Sequence, residues 1–226
     1  MTAIKERPIL FSAPMVRAIL EGRKTVTRRP VKGFQIPTED TSIPEGERHR
    51  WSGTAQRDPR YGFCVFGATE AECAKELEEF APCPYGKPGD RLYVRETFNR
   101  TNPGGAEGVY YYRADGEFPK CIGGGKFTDD ESWKPSIHMP RAASRILLEI
   151  TDVRVERLKD ISEQQALAEG IYSDPAVNGM YTYDGDHYTS KSDGPDRAFA
   201  ELWNTTGGDW DANPWVWCVN FKRVTP

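Results

Sequence analysis

Between Gly22 and Pro30 the chain reads GRKTVTRRP, so Arg23, Lys24, Arg28 and Arg29 share nine residues with two threonine hydroxyls. Two kinds of chemistry fit that density. Arginine and lysine beside backbone amides just past a helix suit a phosphate or a nucleotide. Alternatively, Lys24 takes the proton of Thr27. A threonine hydroxyl attacks a carbonyl only when a base activates it, and a lysine is such a base only when its pKa is lowered. Arg23, Arg28 and Arg29 have the right sign to disfavour a charged Lys24. Residues 24 and 27 point to opposite faces of a flat strand, so the pair meets only across a turn or bulge. Gly22 makes a turn possible. The ordinary alternative is a solvated basic edge.

Two carboxylates stand in unusual places. Glu169 occupies the last turn of a short helix, where it meets the negative end of the helix dipole unless a cation compensates. Lys24 is a candidate for that cation, and an exposed helix-end glutamate is the common alternative. Glu96 falls on the apolar face of a strand. It reads as ending the buried part of that strand and reaching water, the alternative being burial against Arg95 or the basic turn. His49, His138, His187 and the cysteines show no C-x-x-C or H-x-x-x-H spacing, so no metal and no cofactor are expected. CIGGGKF (121–127) lacks the spacing of a phosphate loop. Tyr181, Tyr183 and Tyr188 lie in a loop from which a ring can stack on a base.

The elements that must position these residues are short. Pro8 to Phe11 reads as a strand. Ser12 is a good N-cap, Pro14 fits the first turn, Met15, Val16, Ile19 and Leu20 share one face, and Gly22 stops the helix. Residues 33–83 are irregular apart from the helical TEAECAKELEEF, and read as an insertion. In YGKPGDRLYVRETF a turn precedes a strand with Leu92, Val94 and Phe98 on one face. GVYYYRAD is another strand, and SRILLEITDVRVERL reads as one bent strand. DISEQQALAEGI carries a capping box, Ser162 with Gln165, a staple of Ile161 and Ala166, and a stop at Gly170. PDRAFAELWN is the last helix. NPWVWCVNFKRV closes the chain with Trp215, Trp217, Val219 and Phe221 turned inward. Five or six short strands with three or four helices make an α+β chain, a small curved sheet or barrel with helices at its ends.

Bulk properties narrow the function. A net charge of −4 argues against coating nucleic acid by charge alone. Residues 1–32 are basic, whereas 160–213 hold eleven Asp and Glu against Lys191 and Arg197. That asymmetry suits a cationic pocket with an acidic rim, or two solvated faces. No run is long and apolar enough for a membrane span, and no signal peptide is seen behind MTAIKERP. Five widely spaced cysteines fit reduced thiols in the cytoplasm.

PILFSAPMVRAILEGRKTVTRR, GKPGDRLYVRETF, DISEQQALAEGI and NPWVWCVNFKRV together resemble the ASCH domain, a branch of the PUA-like superfamily, in the long form frequent in phages and prophages. The resemblance covers roughly half the chain, and the G-x-K-x-x-T-x-R core appears as Gly22, Lys24, Thr27 and Arg29. It implies a PUA-like β-barrel of five to six short strands, formed by residues 1–226 as one domain, with insertions at about 33–83, 101–135 and 172–194. Small bacterial members are amidohydrolases that remove the acetyl group of N4-acetylcytidine with a lysine, a threonine and a glutamate. These match Lys24 as base, Thr27 as nucleophile and Glu169 as proton shuttle and orienter. Arg23, Arg28, Arg29 and Glu96 are then candidates for holding a modified nucleoside or nucleotide. Other relatives bind RNA or are nuclease-like, which leaves an RNA- or nucleotide-binding module as the alternative.

Overall fold

The bent β-branched strand and the closing tryptophan strand lie side by side at the centre of a five-stranded sheet. The computed structural model describes residues 4–55, 63–101, 109–116 and 133–225. With strands numbered in chain order, the sheet comprises β1 (Glu6–Leu10), β2 (Val26–Pro30), β6 (Arg91–Arg95), β9 (Leu147–Arg157) and β13 (Trp215–Val224), arranged β1-β6-β9-β13-β2. β1 runs parallel to β6 and the other neighbours are antiparallel. A register shift between Asn220 and Phe221 lets the two longest strands curl together. Trp215, Val216, Trp217, Cys218 and Val219 are all buried, so β13 is covered on both faces and the expected one-sided alternation fails there.

The sheet is α+β but is not closed into the barrel expected. β1 and β2 are its edges. Each carries a proline, Pro8 and Pro30, which has no N–H to give a ladder. A side chain spans the gap instead: Arg29 Nη2 donates to the Leu10 carbonyl at 2.8 Å.

The segment 33–83 is more regular than its composition suggests. It forms β3 (Thr38–Glu39), β4 (Trp51–Thr54) and β5 (Cys64–Gly67), then helix α2 (Glu70–Phe80). The Thr69 hydroxyl caps α2 by accepting from the Glu72 amide, and Cys73, Ala74 and Leu77 join the core. Strands β7 (Phe98–Thr101) and β8 (Val109–Tyr112) form a hairpin; CIGGGKF lies outside the described residues. Between 172 and 194, where a loop was expected, β10 (Tyr172–Asp174), β11 (Met180–Thr182) and β12 (Tyr188–Thr189) make a small sheet. Two- to four-residue strands carry too little periodicity to be read from sequence, which is why thirteen strands appear among the described residues where five or six were expected.

Three further α-helices stand among the described residues: α1 (Ala13–Leu20), α3 (Glu163–Ala168) and α4 (Gly194–Thr205). The capping box of α3 forms as read, with the Ser162 hydroxyl accepting from the Gln165 amide and the Gln165 side chain accepting from the Ser162 amide. No helix among the described residues is long and apolar enough to cross a membrane.

Candidate active site

Gly22, at φ +78°, ends α1 and turns the chain back on it. The amides of Arg23 and Lys24 both donate to the Ala18 carbonyl, at 2.9 and 3.0 Å. Thr25 is then tied to two other segments, its amide to the Ala168 carbonyl (2.8 Å) and its carbonyl to the Phe221 amide (2.9 Å). Strand β2 therefore begins only at Val26. Lys24 sits in a turn outside the strand, so strand alternation does not separate it from Thr27, and both side chains line one cavity.

The end of α3 meets this turn closely. Gly170 takes φ +104°, and a Cβ there would stand 3.0 Å from the Ala18 Cβ and 3.4 Å from the Lys24 Cβ. With that approach, Lys24 Nζ donates to the Glu169 carboxylate at 2.5 Å and to the Glu169 carbonyl at 2.8 Å. One cation thus satisfies both the awkward helix-end carboxylate and the carbonyl of the same residue. The contact is dry: Lys24 is 4% exposed, Glu169 2% and Thr27 2%.

Burial is what lowers the Lys24 pKa, with Arg29 and Arg28 adding to the effect and Glu169 opposing it. The arginine effect expected from the sequence is therefore secondary to desolvation. Arg28 is buried and already committed to carboxylates, with Nε 3.1 Å from Glu156 Oε1, Nη2 on the same oxygen, and Nη1 3.3 Å from Glu169 Oε1. It orients Glu169. The Thr27 hydroxyl has no hydrogen-bond partner among the described residues and is left facing the cavity. Burial pushes the Cys218 thiol, opposite Arg28 across the ladder, far up, which makes it a poor competing nucleophile.

The cavity holds about 330 Å³. Phe11, Met15, Tyr85 and, from α4, Phe199, Leu202 and Trp203 line it with apolar and aromatic surface, and Arg29 and Lys32 add charge. Thr206, Gly207 and Gly208 also line it. Gly208 lies directly against the Trp203 indole, where an added Cβ would overlap Nε1, and that Nε1 is buried without a partner. Among the described residues, neither 33–83 nor 172–194 lines the cavity.

Arg23 and Glu96 are not brought to it. Arg23 donates to Glu21 (2.7 Å) and the Gly170 carbonyl (2.7 Å) and lies over the Tyr172 ring. Glu96 does not reach water; it is 1% exposed, and Arg145 binds it bidentately at 2.9 and 3.1 Å. Its partner is thus neither Arg95 nor the basic turn. Arg145 also bridges to Asp115 and stacks on Tyr112. The three loop tyrosines are engaged elsewhere: Tyr183 stacks on His187, Tyr188 donates to Asp174, and Tyr181 packs on the core. Glu156, Trp203 and Gly208 carried no sequence signal, because a strand glutamate, a helix tryptophan and a turn glycine are each ordinary in isolation. A larger cavity of about 540 Å³ lies between α2 and the approach to β6. Its Arg7 is paired with Asp90 and it offers no hydroxyl nucleophile beside a base, so volume alone does not locate the chemistry. Among the described residues no cluster of His, Cys, Asp and Glu could hold a metal ion.

Comparison with protein-family models, with curated proteins and with solved structures returned no match.

Proposed function

We propose that the chain is an ASCH-type, PUA-like amidohydrolase that removes an acyl group from a modified nucleoside or nucleobase such as N4-acetylcytidine. One observation carries the reading: Lys24 and Thr27 of one stretch and Glu169 from the distant end of α3 line one cavity, all three buried, and burial lowers the lysine pKa. Free thiols at Cys64, Cys73, Cys83 and Cys218 accord with the cytoplasm as its place of work. The five-stranded sheet with Arg29 spanning its two edges supports a PUA-like assignment, as an opened form of the barrel.

In this reading neutral Lys24 accepts the Thr27 proton as Oγ1 attacks the amide carbonyl carbon. The tetrahedral adduct collapses by breaking the C–N bond, and the amine leaves with the proton that Lys24 received. An acyl ester on Thr27 remains. A water molecule then attacks it, giving its proton to Lys24; the carboxylic acid departs and the hydroxyl of Thr27 is restored. Glu169 holds Nζ in place throughout and passes protons between Lys24 and solvent.

A second reading, a PUA-like RNA- or nucleotide-binding or nuclease-like module without amidohydrolase activity, draws on Arg29 and Lys32 in the cavity lining. Release of cytidine from N4-acetylcytidine separates the two. Hydrolysis predicts turnover that vanishes in Thr27→Ala and Lys24→Ala and persists in Thr27→Ser. No turnover by folded wild type, with RNA affinity that weakens in Arg29→Ala and loses salt dependence, would establish the binding module instead.

A further inference from the structure

The cations around the cavity outnumber its carboxylates. Lys24, Arg28, Arg29 and Lys32 line it, while only Glu169 among the lining residues and Glu156 behind Arg28 answer them. A proton on either member of the Lys24–Glu169 pair leaves the sum unchanged. The excess belongs to Arg29 and Lys32, neither of which has an ion-pair partner among the described residues. Arg29 is half-buried, gives one N–H to the Leu10 carbonyl, and otherwise lies over the Phe11 ring at 5.2 Å. A half-buried guanidinium whose attracting carboxylate, Glu169, is already bound by Lys24 and Arg28 is a costly arrangement that an added anion would complete.

We propose that Arg29 and Lys32 form a phosphate subsite and that the ligand of this cavity is a nucleoside 5′-monophosphate. Two uncompensated positive charges match a phosphate monoester, which carries about −1.5 to −2 at neutral pH. The guanidinium fork suits phosphate oxygens, and Lys32 adds a mobile point charge. Thr27 and Arg29 are two residues apart on β2, on one strand face and roughly 7 Å from Cα to Cα. That spacing, extended by the arginine arm, keeps the phosphate clear of the reacting centre while one molecule touches both. Phe11, Phe199 and Trp203 supply rings for the base. The cavity is at the small end of ligand pockets, roughly 300–1,000 Å³, which favours one nucleotide over a strand. The inference uses the same cavity as the proposed hydrolysis, yet binding and turnover are read separately, so either can fail alone.

The test is calorimetric titration of the full chain with the four nucleosides, their 5′-monophosphates, ribose 5-phosphate and inorganic phosphate. At least one monophosphate is expected to bind about tenfold or more tighter than its nucleoside, the contribution of a single charge-assisted hydrogen bond. Inorganic phosphate should compete with it. The gap should close in Arg29→Gln, recover partly in Arg29→Lys, and narrow in Lys32→Gln, an exposed position whose variant will fold. A 5′-phosphorylated trinucleotide that binds as well as the monophosphate keeps the phosphate subsite and assigns its source to an RNA end. Equal affinity for nucleoside and monophosphate, binding of neither, or a gap that survives undiminished in Arg29→Gln and Lys32→Gln alike would overturn the proposal. Absence of amide hydrolysis with this binding intact would refute only the reaction.

Discussion

Replacing Glu169 by glutamine removes one charge from a buried cluster without changing its shape. Glu169 is the carboxylate 2.5 Å from Lys24 Nζ, and it also faces Arg28 at 3.3 Å. Arg28 keeps Glu156, whereas Lys24 loses its only ion-pair partner among the described residues. Stranding one member of a buried pair typically costs about 3–5 kcal/mol. In a chain of this length each kcal/mol moves the melting temperature by roughly 2–4 °C, so a loss on the order of 10 °C is expected at pH 7. The pH dependence identifies the cause. In the wild type burial already lowers the Lys24 pKa below 10.5, and Glu169 is the main influence raising it. Without Glu169 the folded-state pKa drops further while the unfolded value stays put. The unfolded chain then binds more protons across a wider window, and stability must rise with pH throughout it. Thermal melts of wild type and Glu169→Gln from pH 6 to 10 should therefore show the variant gaining on heating resistance as pH rises, more steeply than the wild type. Lys24→Met with Glu169→Gln should be less damaging than the two single losses added together, because no stranded charge remains. A variant that melts within a degree of wild type, or a deficit flat across pH, would show that the pair is solvated and the dry-site argument wrong.

Other outcomes follow from the same contacts. Turnover should rise with pH on a limb set by deprotonation of Lys24 and lying below 10.5, and Arg29→Gln, which removes a like charge, should move that limb upward; a pH–rate profile checks it. Gly170→Ala places a side chain at φ +104° against Ala18 and Lys24, and chemical denaturation should show a loss of about 1–3 kcal/mol together with impaired turnover. Gly208→Ala drives a methyl into the Trp203 indole; tryptophan fluorescence should report the displaced ring, with an overpacking cost of about 1–3 kcal/mol. Arg145→Met strands buried Glu96, whose pKa burial already raises above 4.5. The folded variant then holds a proton that the unfolded chain releases, so its stability falls as pH climbs above 4.5, by up to about 3 kcal/mol at neutrality since Arg145 is partly exposed. Melts at pH 5 and 7 that fall by equal amounts would contradict this.

Local signals carried much of what is now visible. Gly22, the β-branched residues after it, the Ser162–Gln165 box and the Gly170 stop are short-range chemistry, and each formed where its spacing placed it. The unfavourable position of Glu169 and the density of GRKTVTRRP likewise pointed to the cavity, because a charge at odds with its own helix or turn announces a distant partner. The sequence offered Lys24 as the candidate partner of Glu169 but not the contact itself. Lys24 and Glu169 are 145 residues apart, and only the approach of α1 to the end of α3 brings them together. Arg28 and Arg29 are neighbours of one type, yet β13 pairing turns the first onto Glu156 and Glu169 and leaves the second to the Leu10 carbonyl and open cavity. Glu96 found Arg145, 49 residues on, and so stayed buried. Side-chain type and spacing state what a residue can do; pairing across strands and depth below the surface, which depend on the whole chain at once, settle what it is left free to do.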